Sequence, residues 1–219
     1  MRRTPTTLGA MAALAILFCT PTTAPAALPT EPAEDATTQT PSSLPLSHSG
    51  TWTMEQLLAL DRDAVLALWK SLPAVPMAEL NGHYQGIVPN GGDATRQAST
   101  ADFMYNESSE RGYWLGKAYK PLTATTGEGY NRWRFPGGKV VRNLRFGTEM
   151  GTSLIDGKPA FLMHYIDFND TTLMDELRKL DDNVYLGKGT TETKDGKRSA
   201  PVHFALVGPT DEWVGAEEE

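Results

Sequence analysis

The residues whose chemistry could matter are spread along the chain and not gathered in one motif. Lys117 and Arg142 are cations inside apolar, strand-like runs, at 112–120 and 139–146. Such a side chain either snorkels to solvent or faces the interior, where it would orient an anionic head group such as a carboxylate. Tyr84, Trp114, Tyr119, Trp133 and Tyr165 could line an apolar pocket, although aromatic residues on strands also serve simply as core. Asp175, Glu176 and Arg178 form a compact charged group that could touch a ligand, or leave Arg178 paired to a carboxylate.

His83, His164 and His203 each fall in a strand-like run, far apart in sequence. A metal site would need them on adjacent strands, facing one way, beside a carboxylate such as Asp167. With no H-x-H or H-E-x-x-H spacing, hydrogen-bonded strand histidines are expected and no metal centre. There is no G-x-S-x-G elbow, P-loop or dinucleotide fingerprint, and Gly187-Lys188-Gly189 reads as a strand end, so no cofactor is expected.

The elements that must position these residues begin after a long leader. Arg2 and Arg3 precede an apolar run, Leu8 to Phe18, which at about ten residues is too short to span a bilayer. Ala24-Pro25-Ala26 then supplies an A-x-A cleavage site, so 1–26 reads as a secretory signal and the protein as exported, periplasmic or extracellular. Phe18 is too large to precede a lipoprotein cysteine, and cleavage removes Cys19, leaving a mature chain held by packing and not by disulfides. It also removes Arg2 and Arg3, taking the formal net charge of −7 two units lower. A nucleic-acid partner is disfavoured by that charge. No transmembrane segment is expected in the mature chain. Residues 27–50, rich in Pro, Thr and Ser, read as a disordered tether.

The folded domain is expected over 51–208. Thr53-Met54-Glu55-Gln56 is a capping box, with Trp52 and Leu57 placed as a hydrophobic staple. Leu58, Val65, Leu68, Trp69 and Leu72 continue one helical face until Pro73, giving a single leading helix that flanks the body. Alternating runs follow at 80–88, 112–120, 130–135, 139–146, 151–155, 160–167, 184–189 and 202–207. The stretch 93–110 is a long loop or a short helix. Asp156-Gly157 is the strongest hairpin signal, suggesting a type I′ turn. About eight short strands in meander order favour a mainly β, antiparallel barrel over a sandwich. Residues 209–219 form an acidic tail expected to fray.

The densest run of signals is 165–187. Asp170 or Thr172 can cap a short internal helix over 172–180, with Asp175 at its positive dipole end and Arg178 and Lys179 at the other. That helix is expected to plug one mouth of the barrel. Gly82-His83-Tyr84-Gln85-Gly86, followed by Pro89-Asn90-Gly91-Gly92, resembles the motif and turn of a bacterial and fungal family named for Gly-x-Trp-x-Gly. Trp114-Leu115-Gly116-Lys117, Asp175 to Asp182 and Leu186-Gly187 are similar to further runs of that family, in the same order. Tyr84 stands where the motif has Trp, and Asn90-Gly91-Gly92 where the family has Thr-Gly-His. The resemblance implies a calycin, lipocalin-like barrel and no assigned reaction.

The expectation is therefore an exported barrel that binds a small apolar or amphipathic molecule through Tyr84, Trp114, Lys117, Arg142, Tyr165, Asp175 and Arg178. The alternatives are an enzyme doing proton-transfer chemistry of the isomerase or cyclase type in the same barrel, or an envelope interaction module without a small ligand.

Overall fold

The computed structural model describes residues 52–89 and 94–217. The signal segment 1–26 and the tether 27–50 lie outside the described residues. The capping box forms as the residue types require: Gln56 N donates to Thr53 Oγ1 at 3.1 Å, and Thr53 N donates to the Gln56 side chain at 3.0 Å. The helix it starts, α1 (Met54–Ala59), is short. The single leading helix is corrected to two, because Asp61 caps a second, α2 (Arg62–Ser71), by accepting from Ala64 N at 2.8 Å. The break shifts the buried stripe to Leu57, Leu60, Val65 and Trp69, and leaves Leu58 exposed. That stripe, with Trp52 against it, packs on Leu186 and Ala205 of the barrel's outer face.

The strands are β1 (Gly82–Ile87), β2 (Tyr105–Asn106), β3 (Gly112–Pro121), β4 (Thr126–Arg134), β5 (Val140–Thr152), β6 (Pro159–His164), β7 (Met174–Asp181), β8 (Val184–Thr190) and β9 (Val202–Asp211). All pair antiparallel, in the order β1-β9-β8-β7-β6-β5-β4-β3, and β1 also pairs with β3, which closes an eight-stranded barrel. The short β2 adds to the edge of β3. Closure depends on two glycines at the seam. A Cβ on Gly116, at φ +123°, would run into the Tyr84 carbonyl, and one on Gly86 would meet the Trp114 ring.

One expected element is wrong in kind. The segment 172–180 is not a plug helix, because Met174–Asp181 is strand β7, paired with β6 and β8. Its Leu, Met, Glu, Arg and Lys content is rich in helix formers. Here tertiary context overrides propensity: Leu177 faces the core while Arg178 is buried beneath α2, and Asn183, at φ +59°, supplies the reversal into β8. The internal helix is instead α3 (Ala94–Met104), in the stretch that read as loop or short helix. The turn at Asp156-Gly157 is also not type I′, since only Gly157 has positive φ, and Ser153 N closes a wider loop onto Lys158 O at 2.8 Å.

The barrel interior is an aromatic core. Tyr84, Trp114, Tyr119, Phe146, Phe161, Tyr165, Tyr185 and Phe204 are buried there, with ring centroids 5.1–6.1 Å apart between contacting pairs. Antiparallel register puts the end of β1 and β6 and the start of β3, β7 and β9 at one mouth. Val88, Met104, Leu144 and Leu173 pack against the core at that mouth, Met104 from the end of α3. Val75, Met77 and Leu80 pack against the core at the other, beside Tyr84. The acidic tail is partly integrated: β9 runs to Asp211, Trp213 stacks on Tyr130, and Glu217 N donates to Arg142 O at 2.9 Å.

Candidate functional site

Just inside the α3 mouth, four polar side chains converge within the aromatic interior. The sequence reason is a β-bulge in β3 between Trp114 and Gly116. An extra residue in one strand exchanges the two faces beyond it. Trp114 and Lys117, three positions apart, therefore both point inward, and Lys117 is 3% exposed. A second irregularity between Gly129 and Asn131 accompanies Leu144 at φ +48°, a conformation rare for a side chain of this kind. The Leu144 carbonyl there accepts from Asn131 Nδ2 at 3.3 Å.

Lys117 Nζ lies 2.9 Å from Asp175 Oδ2 and donates to Asn131 Oδ1 at 3.0 Å and to the Tyr165 hydroxyl. Tyr165 in turn donates to Asp175 Oδ2 at 3.0 Å and accepts from Asn131 Nδ2 at 3.0 Å. Trp114 Nε1 donates to Asn131 Oδ1 at 3.1 Å. Four rings surround the ammonium, those of Phe204, Tyr165, Phe146 and Trp114, with centroids 5.1, 5.2, 5.3 and 5.8 Å from Nζ. Cation–π attraction of about 0.5–2 kcal/mol offsets part of the desolvation of the charge.

Burial pulls the Lys117 pKa down from its ordinary value, and the Asp175 carboxylate opposes that shift. Burial, then the neighbouring Asp175 charge, pushes the Tyr165 hydroxyl well above its ordinary value, so it stays a proton donor at neutral pH. The arrangement can hold a polar or anionic group against an amine and a phenol, or pass a proton between them.

The other residues singled out lie elsewhere. Tyr84 is at the opposite end of the lumen, its hydroxyl donating to Glu79 O at 3.0 Å, and burial raises its pKa to about 12. Arg142 is on the outer face, 3.8 Å from Glu217. Arg178 is also outside, fully buried beneath α2. Its guanidinium lies 4.1 Å from the Trp69 ring centroid, pairs with Asp156 at 2.7 Å and donates to Lys70 O at 3.2 Å, closing the helix C-terminus. Of the seven, the structure brings together Trp114, Lys117, Tyr165 and Asp175.

None of the three strand histidines reaches the lumen. His83 Nε2 shares a 2.8 Å hydrogen bond with Tyr130, His164 pairs with Glu149 at 3.0 Å, and His203 sits beside Lys188 under the helices. Asp167 is exposed. Among the described residues, no three His, Cys, Asp or Glu side chains stand close enough to hold a metal ion. Sequence reasoning missed Asn131, Phe146 and Phe204. Asn131 carried a readable signal, since it is the polar residue in phase with Gly129 and Trp133 on one face of its strand.

Two recesses, of about 290 and 550 Å³, lie on the outer surface against Trp213, and no lumen residue lines either. Among the described residues, no helix is long and apolar enough to cross a membrane.

No family model matches the chain, and no curated protein matches it. A crystal structure of a protein from Thermomonospora curvata is similar over 67% of this chain and 86% of that one, at 20% identity and a TM-score of 0.46. The chain is a closed eight-stranded antiparallel barrel with an aromatic interior, into which one lysine, one aspartate, one tyrosine and one asparagine converge.

Proposed function

We propose that this is an exported, lipocalin-like barrel, akin to the Gly-x-Trp-x-Gly family, that binds a small apolar or amphipathic molecule through the α3 mouth. The polar end of that molecule meets Lys117, Tyr165, Asp175 and Asn131. Its apolar body takes the place of side chains at the mouth, where Leu144 and Leu173 are only partly buried. The observation that carries this reading is the Lys117–Asp175 pair, both members nearly fully buried in an aromatic interior. Such a pair is a weak source of stability, because desolvating two charges offsets their attraction. A few convergent polar groups among apolar walls is also the usual composition of a small-molecule site.

The proton-transfer alternative is favoured by a specific contact, the Tyr165 hydroxyl bridging Lys117 and Asp175. It would run on those groups and not on the histidines. An interaction module resting on the leading helices has less support, since their apolar stripe already covers Leu186 and Ala205.

The test is native mass spectrometry of the exported protein, purified without detergent, before and after incubation with a lipid extract. A retained mass released on denaturation, in one-to-one ratio, is expected. A spectrum showing only the bare chain under both conditions would remove the binding reading.

A further inference from the structure

We infer that Lys117 is the nucleophile of a covalent carbonyl site, forming an imine with small aldehydes that enter at the α3 mouth. The inference deepens the binding reading and rests on it, naming an aldehyde as the ligand class. In the step, the Lys117 ammonium passes one proton to Asp175, 2.9 Å away, and the resulting neutral amine adds to the aldehyde carbon to give a carbinolamine. That intermediate loses its hydroxyl as water, Tyr165 supplying the proton and taking back the one held on Asp175, and leaves an iminium beside a carboxylate and an intact phenol. One C=N bond forms, one C=O bond is lost and one water is released, with no oxidant or reductant needed.

Three observations support it. A lysine desolvated among apolar side chains is the usual route to an amine nucleophile, and Lys117 sits within four aromatic rings. Tyr165 is within hydrogen-bond reach of Nζ and is held as a phenol. The hydrogen-bond network also survives the change from ammonium to iminium. An ammonium has three N–H donors and an iminium one, so two acceptors lose a partner. Asn131 Oδ1 keeps Trp114 Nε1, Tyr165 Oη keeps Asn131 Nδ2, and Asp175 Oδ2 keeps the iminium and the Tyr165 hydroxyl. The positive charge persists, so Asp175 remains its counter-ion and the rings still face a cation.

Among the described residues, the other amines lack this combination. Lys188 is buried as well, but on the outer face under α2, beside His203 and near Arg62 and Lys70. Lys179 pairs with Glu79 and Asp182 at the opposite end of the barrel.

The test incubates the full chain with cinnamaldehyde, adds sodium cyanoborohydride, and maps the adduct by peptide mass spectrometry. In parallel, cinnamyl alcohol, which cannot form an imine, is titrated with binding read from tryptophan fluorescence. The expected result is one reduced cinnamyl group per chain, on Lys117, with alcohol binding at the same stoichiometry. Lys117→Arg should lose the adduct. Tyr165→Phe, which keeps the amine, should slow its formation at neutral pH, and that second variant serves if the first does not fold. Alcohol binding without an adduct on Lys117, or adducts on surface lysines only, would overturn the covalent step while leaving the binding reading standing. Absence of both adduct and alcohol binding would overturn both.

Discussion

Lys117→Met is the perturbation that separates a pair kept for the fold from a pair kept for the site. Methionine fills most of the lysine stem's volume, so the packing loss is small. What changes is electrostatic. Asp175 loses the charge at 2.9 Å and remains 5% exposed, with the Tyr165 hydroxyl as its polar partner. Breaking one side of a buried pair costs about 3–5 kcal/mol, a large part of the roughly 5–15 kcal/mol available to a domain of this size. Adding Asp175→Asn removes the stranded charge and still accepts from Tyr165. Lys117→Met/Asp175→Asn should therefore return to within about 1 kcal/mol of the parent or exceed it, as buried pairs replaced by neutral groups commonly do. Urea denaturation followed by tryptophan fluorescence measures all four corners of the cycle, and Trp114, 3.1 Å from Asn131, reports on the site itself. If the double variant is as unstable as the two single losses added together, the two side chains are not coupled and the reasoning fails. It also fails if Lys117→Met alone costs less than about 1 kcal/mol, since the lysine would then not be charged in the interior.

Three further outcomes are expected. Gly116→Ala should prevent normal closure of the β1–β3 seam, because the new methyl would meet the Tyr84 carbonyl at a φ that L residues avoid; a cost above about 3 kcal/mol in chemical denaturation is the readout. Arg178→Lys should release the C-terminal end of α2, since an ammonium cannot both pair with Asp156 and stack on Trp69; limited proteolysis should cut within 62–71, and unchanged resistance there would refute the clamp. Lys188 predicts a pH dependence. Burial first, then Arg62 and Lys70, brings its pKa down to about 7, below the ordinary 10.5, so over that interval the unfolded chain binds more protons than the folded one. Its stability contribution is complete above 10.5, falls as pH drops toward 7 and is flat below, with a ceiling of about 4–5 kcal/mol from the shift. Lys188→Met should flatten that slope of stability against pH between 7 and 10.5, and an unchanged slope would contradict the assignment.

Local signals announced the parts of this fold that local physics controls. The Thr53 capping box, the strand runs of β3 and β6, and the turn glycine at 157 all formed where residue type required. The resemblance to a barrel family and the meander order pointed to the same closed architecture that the β1–β3 pairing completes. What was illegible is what depends on distant partners. The run Met174–Asp181 has the content and spacing of a helix, and only its place between β6 and β8 makes it a strand. Which way Lys117 points depends on a one-residue bulge at Trp114–Gly116, and no feature of GYWLGKAYK marks that slip. Asp175 and Arg178 read as one compact charged group on a short helix, Asp175 in its first turn and Arg178 toward its end. On a strand three positions place them on opposite sides, one in the lumen and one under α2. Asn131 joins the cluster through β4, far from Lys117 and Asp175 in sequence, and such an assembly is visible only once the register is known.

The central claim is that the Lys117–Asp175 cluster anchors a small amphipathic molecule inside the barrel. The most direct measurement is a titration with cis-parinaric acid, a fluorescent fatty acid with a carboxylate head, read by energy transfer from tryptophan. The parent chain and the Lys117→Met/Asp175→Asn variant, its folding verified by urea denaturation, are compared. Saturable one-to-one binding by the parent is predicted, weakened at least about tenfold in the variant, as loss of one polar anchor worth about 1.4 kcal/mol requires. Equal affinity in the two proteins, or no saturable binding by the parent, would contradict it.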